Sequence, residues 1–444
     1  MLENAKEIKI EDLQKLKKEV ANDKSALILQ HASSKVKLSD IVYNPKGRIG
    51  LDNNFSIEVK TLPVSDQMHS GRCWIFAGCN VLREVVAKKI NVENFELSQN
   101  YIAFYDKLEK INYALECAIS FVDKPHDDRV VAQVISYPVS DGGQWDMFAD
   151  IVKKYGIVPK QAMDESYSSS HTSGHSFMIN RTIRKFAADA KHLHEQGKDN
   201  EIRILKDKIF KELYRSLEIV FGTPVETFDF EYTDKDDKYH IDHNLTPKSF
   251  YEKYIGDNID DYISIINAPT SDKPYYASFT LDYIGNVIGG KDIRHLNLPI
   301  NEIKDLAIKQ LKNNEVVWFG SDCSLFNDKE LWAPEQFDYE LAFNLDLSMS
   351  KEDMLDYYES AMNHAMVLTG VNIKNDKSTK WKIENSWGEK EGKKGYYTAS
   401  DKWFDEYVFQ VVINKKYLTK EMLDAYNKEP IHLNPWDPMG TLAK

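Results

Sequence analysis

Cysteine is scarce in this chain: Cys73, Cys79, Cys117 and Cys323 are the only four in 444 residues. So few cannot staple a chain of this length, and none stands in a CxxC or other metal-ligand spacing. A disulfide scaffold and a zinc site are therefore not expected, and a reducing compartment is. Long apolar runs are missing too, since nothing approaches the roughly 18 residues of a spanning helix. The opening MLENAKEIKIEDLQKLKKEV is charged throughout and lacks an apolar h-region, so no secretory signal is read in it. Nor is there a surplus of positive charge. A formal net charge of −13 argues against nucleic acid or an anionic membrane as the main partner. These absences together predict a cytoplasmic protein with no membrane segment.

The remaining composition is that of a globular chain, 42% hydrophobic and 29% charged. Its length exceeds what one core supports, so two or three lobes are expected. The N-terminus predicts a short exposed helix with Ile8, Leu13 and Leu16 as its buried stripe. Ile75, Cys79, Leu82 and Val86, spaced by four, three and four, predict a helix over 73–90. A second helix is expected at Trp145–Tyr155, and helical patterning returns from Arg181 to about Val220. Between them ESYSSSHTSGHS, at 165–176, reads as a polar turn-prone loop, with His171 and His175 solvated in it. After Thr223-Pro224 the pattern changes to short β-branched and aromatic runs: Tyr275–Thr280, Val316–Phe319, His364–Val371 and Tyr407–Ile413. Helices early and strands late predict an α+β protein with a site between unlike lobes.

Three strings carry chemistry: QMHSGRCWIFA around Cys73, NHAMVLTGV around His364, and WKIENSWGEKEGKKGYY around Asn385. Ser70 or Gly71 as a cap would place Cys73 at a helix N-terminus, where free N–H groups and the macrodipole favour thiolate. The ordinary fate of a free cysteine is a small buried core residue, and Cys79, Cys117 and Cys323 are read that way. An imidazole within reach can take the thiol's proton, and an Asn oxygen can fix the ring's tautomer. Each piece alone has a bland reading, a satisfied strand-edge His or a common Asn-Ser turn. The ordered set of three is far less easily an accident. Gly142 and Gly143 fit either a tight turn before the Trp145 helix or a cleft wall that approaches a ligand closely. His69 is read as a loop or cleft-rim residue.

These strings resemble the active-site blocks of papain-like cysteine peptidases. The SGRCW form, with SDGGQWDMFADIVKKYGIVPK, DYIGNVIGGKDIRHLNLPI, EVVWFGSDCS and the final PWDPMGTLAK, resembles the bleomycin hydrolase and aminopeptidase C branch nearly end to end. The resemblance implies a two-lobed papain-like fold with a helical insertion and a C-terminal arm. The expected segments are an N-terminal stretch (1–62), a helical lobe with the nucleophile (63–170), the insertion (171–265), a β-rich lobe with His and Asn (266–430) and the arm (431–444). It implies Cys73 as nucleophile, His364 as base, Asn385 as its orienter, Trp387 as a shield for that bond, and Gln67 as an oxyanion donor. Gly142 and Gly143 would pair with an extended peptide substrate. Ala443 and Lys444 would end an arm whose carboxylate meets the substrate's ammonium group, with the bond before Lys444 within reach of Cys73. No metal or organic cofactor is implied, and a homohexamer is. Where secreted members carry a half-cystine three residues before the nucleophile, this chain has Ser70, and no pro-segment is read. Two rivals are a broader amide hydrolase, separated by whether a free amine is required, and a binding protein that has lost the chemistry, separated by alkylation of Cys73.

Overall fold

The computed structural model describes Leu2 and residues 4–444, with the side chains of Asp257 and Asn258 outside the description. One lobe is built on the helix Cys73–Ile90, apolar on nearly every face and buried on nearly every face. It ends at Asn91, in the left-handed conformation that asparagine tolerates. Helices Gln99–Ser120 and Trp145–Tyr155 pack on it. Ser98 caps the former by accepting from Tyr101 N.

The other lobe is a mixed sheet. Its central strand His364–Lys374 pairs antiparallel with Val317–Ser321 on one side and Lys377–Glu384 on the other. Val408–Asn414 and Tyr262–Ile266 extend the first side, and Tyr396–Ser400 the second. Nine of the eleven residues Ala365–Val371 and Val408–Val411 are apolar or glycine, the near-continuous pattern of strands covered on both faces.

Buried ties cross between the lobes. Trp318 Nε1 donates to Trp74 O at 3.3 Å. Glu384, next to Asn385, accepts from Arg83 at 2.8 Å and from Asn80 at 3.0 Å, both on the Cys73 helix. Removing one partner of such a buried pair leaves an uncompensated charge and typically costs about 3–5 kcal/mol.

Several expectations are corrected. The N-terminal helix forms at Ile10–Asn22, but it buries no residue, and Ile8, Leu13 and Leu16 are exposed. Periodicity showed an apolar stripe without showing what would cover it. In the Ser-rich stretch, only the first part turns. A helix starts at Ser173, and His175 is buried on it with Nε2 3.1 Å from Ser216 Oγ. The segment read as a helical insertion contains helices Ser173–Glu195, Asp199–Phe221 and Pro247–Tyr254, and also a hairpin, Phe228–Thr233 with Tyr239–Leu245.

Buried histidines make the fold acid-sensitive. Burial lowers His295 and His364 to about 4 each, whereas an unfolded imidazole titrates near 6.5. Between those values these histidines, with His175, which burial also lowers to about 4, bind more protons in the unfolded chain and make stability rise with pH. Glu84 and Asp150, whose carboxyls burial raises to about 7 and about 6, act in the opposite direction. Each such histidine contributes a loss on the order of 2 kcal/mol between pH 7 and pH 5, so the contribution is read by removing one of them. His295→Gln should shift the urea midpoint at pH 5 upward relative to that at pH 7, and an unchanged pH dependence in that variant would refute the account.

Candidate active site

Cys73 is the first residue of its helix, and the preceding Arg72 occupies the cap position without a side-chain cap bond. The expected caps are otherwise engaged. Ser70 Oγ donates to Gln67 O at 2.7 Å and accepts from Arg72 Nε at 3.0 Å. Arg72 is buried and makes two hydrogen bonds to Glu165, at 3.1 and 3.0 Å. The approach to the thiol is therefore tied from within.

The sheet brings His364 and Asn385 together. His364 opens its strand, paired with Ser321, and Asn385 follows directly on the neighbouring strand. His364 Nε2 lies 2.8 Å from Asn385 Oδ1, an oxygen that also accepts from Ser386 N at 2.8 Å. An amide oxygen can only accept, so Nε2 carries the ring hydrogen and Nδ1 is the basic nitrogen. Trp387 stacks on the imidazole, with centroids 4.9 Å apart and planes 25° apart, beside the His–Asn bond. Ala365 N donates to Cys73 Sγ at 3.4 Å, which joins the histidine strand to the thiol.

Burial opposes each charge taken singly. It raises the Cys73 thiol to about 11 against the N–H groups of Ala365, Trp74 and Cys73, which lower it. It lowers His364 to about 4 against the Asn385 bond, which raises it. The N–H groups at the helix end favour the thiolate, as expected from position, and burial opposes them. Transfer of the proton from sulfur to imidazole keeps the enclosed pair net neutral, and any titration seen belongs to the pair.

Gln67 is buried with its amide held at both ends. Nε2 donates to Ser70 O at 2.7 Å, and Oε1 accepts from Ser386 Oγ at 2.7 Å. One N–H of that Nε2 remains over. Gln67, Cys73, Gly142 and His364 line one cavity of about 380 Å³, together with Thr441, Leu442 and Lys444 from the C-terminus.

The C-terminal arm spans this cavity. Residues Pro438–Ala443 form a short 3₁₀ turn with Met439 and Leu442 buried. Ser140 Oγ donates to Ala443 O at 2.6 Å and Gln144 Nε2 to Met439 O at 3.2 Å, while Thr441 Oγ1 donates to Met362 O at 2.8 Å on the histidine side. A Cβ on Gly142 would lie 2.3 Å from Leu442 O, and one on Gly143 would lie 2.4 Å from the Trp74 ring. Both positions are close approaches that exclude a side chain. A Cβ on Gly440 would likewise lie 2.5 Å from Ile284 Cδ1. Burial lowers the Lys444 ammonium.

Outside this set, His69 is exposed in the loop before Cys73, its ring 4.9 Å from that of His171. Sequence reasoning missed Arg72, Glu165, Asp141, Lys107 and Lys110. Arg72 and Asp141 lay inside the strings already quoted, but nothing local marked the two lysines as buried. Lys107 pairs with Asp141 at 2.6 Å. Desolvation would raise that carboxyl, but the Lys107 charge and the hydrogen bonds from Lys107, Thr172 and Gly71 outweigh it and hold it well below the carboxylate range.

A thiol at a helix start facing a strand-borne histidine, across two unlike lobes, is the arrangement of a papain-like cysteine peptidase. The chain belongs to the Peptidase C1-like family, whose model matches residues 7–440. It is 46% identical to Aminopeptidase C of Lactobacillus delbrueckii subsp. lactis over 404 residues, 90% of each chain. It is 44% identical to Aminopeptidase C of Lactobacillus helveticus over 99% of each. The crystal structure of PepW from Lactobacillus rhamnosis superposes with a TM-score of 0.95 at 47% identity, covering 98% of this chain and 99% of that one. Among the described residues no helix is long and apolar enough to cross a membrane.

Proposed function

We propose that this protein is a cysteine aminopeptidase that releases N-terminal residues from peptides through a thioester acyl-enzyme. The observation that carries the reading is the arm seated beside Cys73 and His364, touching both walls of the cleft. Cys73 attacks the carbonyl carbon as its proton passes to His364 Nδ1, forming the C–S bond. The imidazolium then protonates the leaving amine, and water releases the acyl group with His364 again as base. Asn385 keeps the ring's hydrogen on Nε2, and Trp387 keeps water from that bond. The remaining Gln67 N–H and the Cys73 backbone N–H serve the oxyanion. Gly142 and Gly143 receive the substrate backbone. Ala443 and Lys444 close the non-primed side, and the terminal carboxylate meets the substrate's ammonium group. No cofactor enters this scheme.

A homohexamer accords with an N-terminal helix that buries nothing within its own chain, and native mass spectrometry would give six chain masses. Four free cysteines suit the cytoplasm. The test of specificity compares a dipeptide amide with its N-acetylated form. Cleavage of the free amine alone is expected, and equal turnover would favour the broader amide hydrolase.

A further inference from the structure

Asp141 touches the chain on both sides of Cys73. Its Oδ2 accepts from Gly71 N at 3.1 Å and from Thr172 Oγ1, and its backbone oxygen accepts from Trp74 Nε1 at 2.6 Å. A Cβ on Gly71 would stand 2.8 Å from Asp141 Cβ, so the two backbones meet with no room to spare. Behind it lies a charged frame on the helix Gln99–Ser120. Lys107 Nζ binds Asp141 Oδ1 at 2.6 Å and Ser140 O at 2.8 Å. Lys110 Nζ donates to Gly142 O and pairs with Asp106 at 2.8 Å, and Asn286 holds Asp106 at 3.0 Å. The lysine side chains are only 2% and 5% exposed.

Taking an ammonium group out of water costs several kcal/mol, and apolar packing would hold a loop for less. What the charges supply is direction. An ion pair backed by hydrogen bonds fixes one carboxylate oxygen towards one N–H, as packing does not. We infer that Asp141 is a positioning residue for Cys73: its carboxylate holds Gly71 N, and through that bond sets the sulfur against His364 and the oxyanion donors. The inference rests on Cys73 being the nucleophile. A misplacement of about 1 Å at a reacting atom can cost about 10²-fold in rate, which gives the expected scale.

Two double variants separate positioning from support. Asp141→Ala with Lys107→Met removes the acceptor and the charge it would otherwise strand. Asp141→Asn with Lys107→Met removes the same charges but keeps an oxygen for Gly71 N. The first should fold, with kcat on a free-amine dipeptide amide lowered by about 10²-fold and iodoacetamide labelling of Cys73 slowed in parallel. The second should recover most of both. Equal kcat in the two variants, high or low, overturns the inference. If the Ala variant does not fold, Thr172→Val decides, since it removes one donor to the same oxygen and leaves the ion pair. A several-fold fall in kcat at unchanged Tm is expected there, and unchanged kcat overturns the inference. Activity surviving in Cys73→Ala would instead sink the reading on which this one stands.

Discussion

Cys73→Ala should be a folded protein with no measurable peptidase activity. The substitution removes one buried sulfur atom from a site 5% exposed, a small change in a core where single buried groups cost a few kcal/mol at most. The chemical loss is of another order. Removing the nucleophile of a catalytic unit costs about 10⁴-fold or more, and no other cysteine is placed to replace it. Burial raises Cys79, Cys117 and Cys323, as it does Cys73, but none of those three lines the cavity with His364. Iodoacetamide at neutral pH should therefore inactivate by labelling Cys73. His364→Ala should suppress that labelling, because it strands a thiol that burial has pushed up to about 11, far from the range of reactive thiols. Kinetics on purified Cys73→Ala and peptide mapping of the alkylated protein check both points. More than trace turnover, or inactivation through another cysteine, would remove Cys73 from the mechanism.

Deleting residues 437–444 should change what the enzyme accepts more than whether it works. The arm contributes buried Met439 and Leu442, the Lys273–Asp437 pair at 3.0 Å and hydrogen bonds to both cleft walls. Losing two buried side chains of this size costs about 1.5–3 kcal/mol each, so Tm should fall. The groups left behind, Ser140 Oγ, Gln144 Nε2 and Met362 O, open onto water in the emptied cleft and need no protein partner. Peptides with blocked amines gain room, and free amines lose their carboxylate. One charge-assisted hydrogen bond is worth about 1.5–3 kcal/mol, so the ratio of free to blocked turnover should drop by about tenfold to a hundredfold. A truncated enzyme with the intact ratio would show that the arm does not set specificity.

Much of the site was legible because its parts are local. The helix from Cys73 follows from apolar spacing, and the helix Trp145–Tyr155 stands where it was expected, after the glycine pair. The His364 strand is a run of β-branched and apolar residues, which marks it as a strand without saying which strands it pairs with. What escaped is long-range. Lys107 and Lys110 look like solvated charges until Asp141 and Gly142, some thirty residues on, are folded against them. Arg72 and Glu165 are 93 positions apart. The thiol's environment escaped for the same reason: a helix end can be read from spacing, but the burial that raises the thiol comes from the whole lobe.

By itself, then, the sequence marked Cys73, His364, Asn385 and Gln67 as candidates and put Cys73 at a helix start and His364 in a strand. Side-chain type and short-range periodicity are properties of neighbours in the chain. Tertiary structure alone decided that Asn385 Oδ1 lies 2.8 Å from His364 Nε2, that the arm bridges Ser140 and Met362, and that a buried ion pair stands behind Gly71. Those outcomes depend on how two lobes and a chain end pack, which balances burial against desolvation over hundreds of residues.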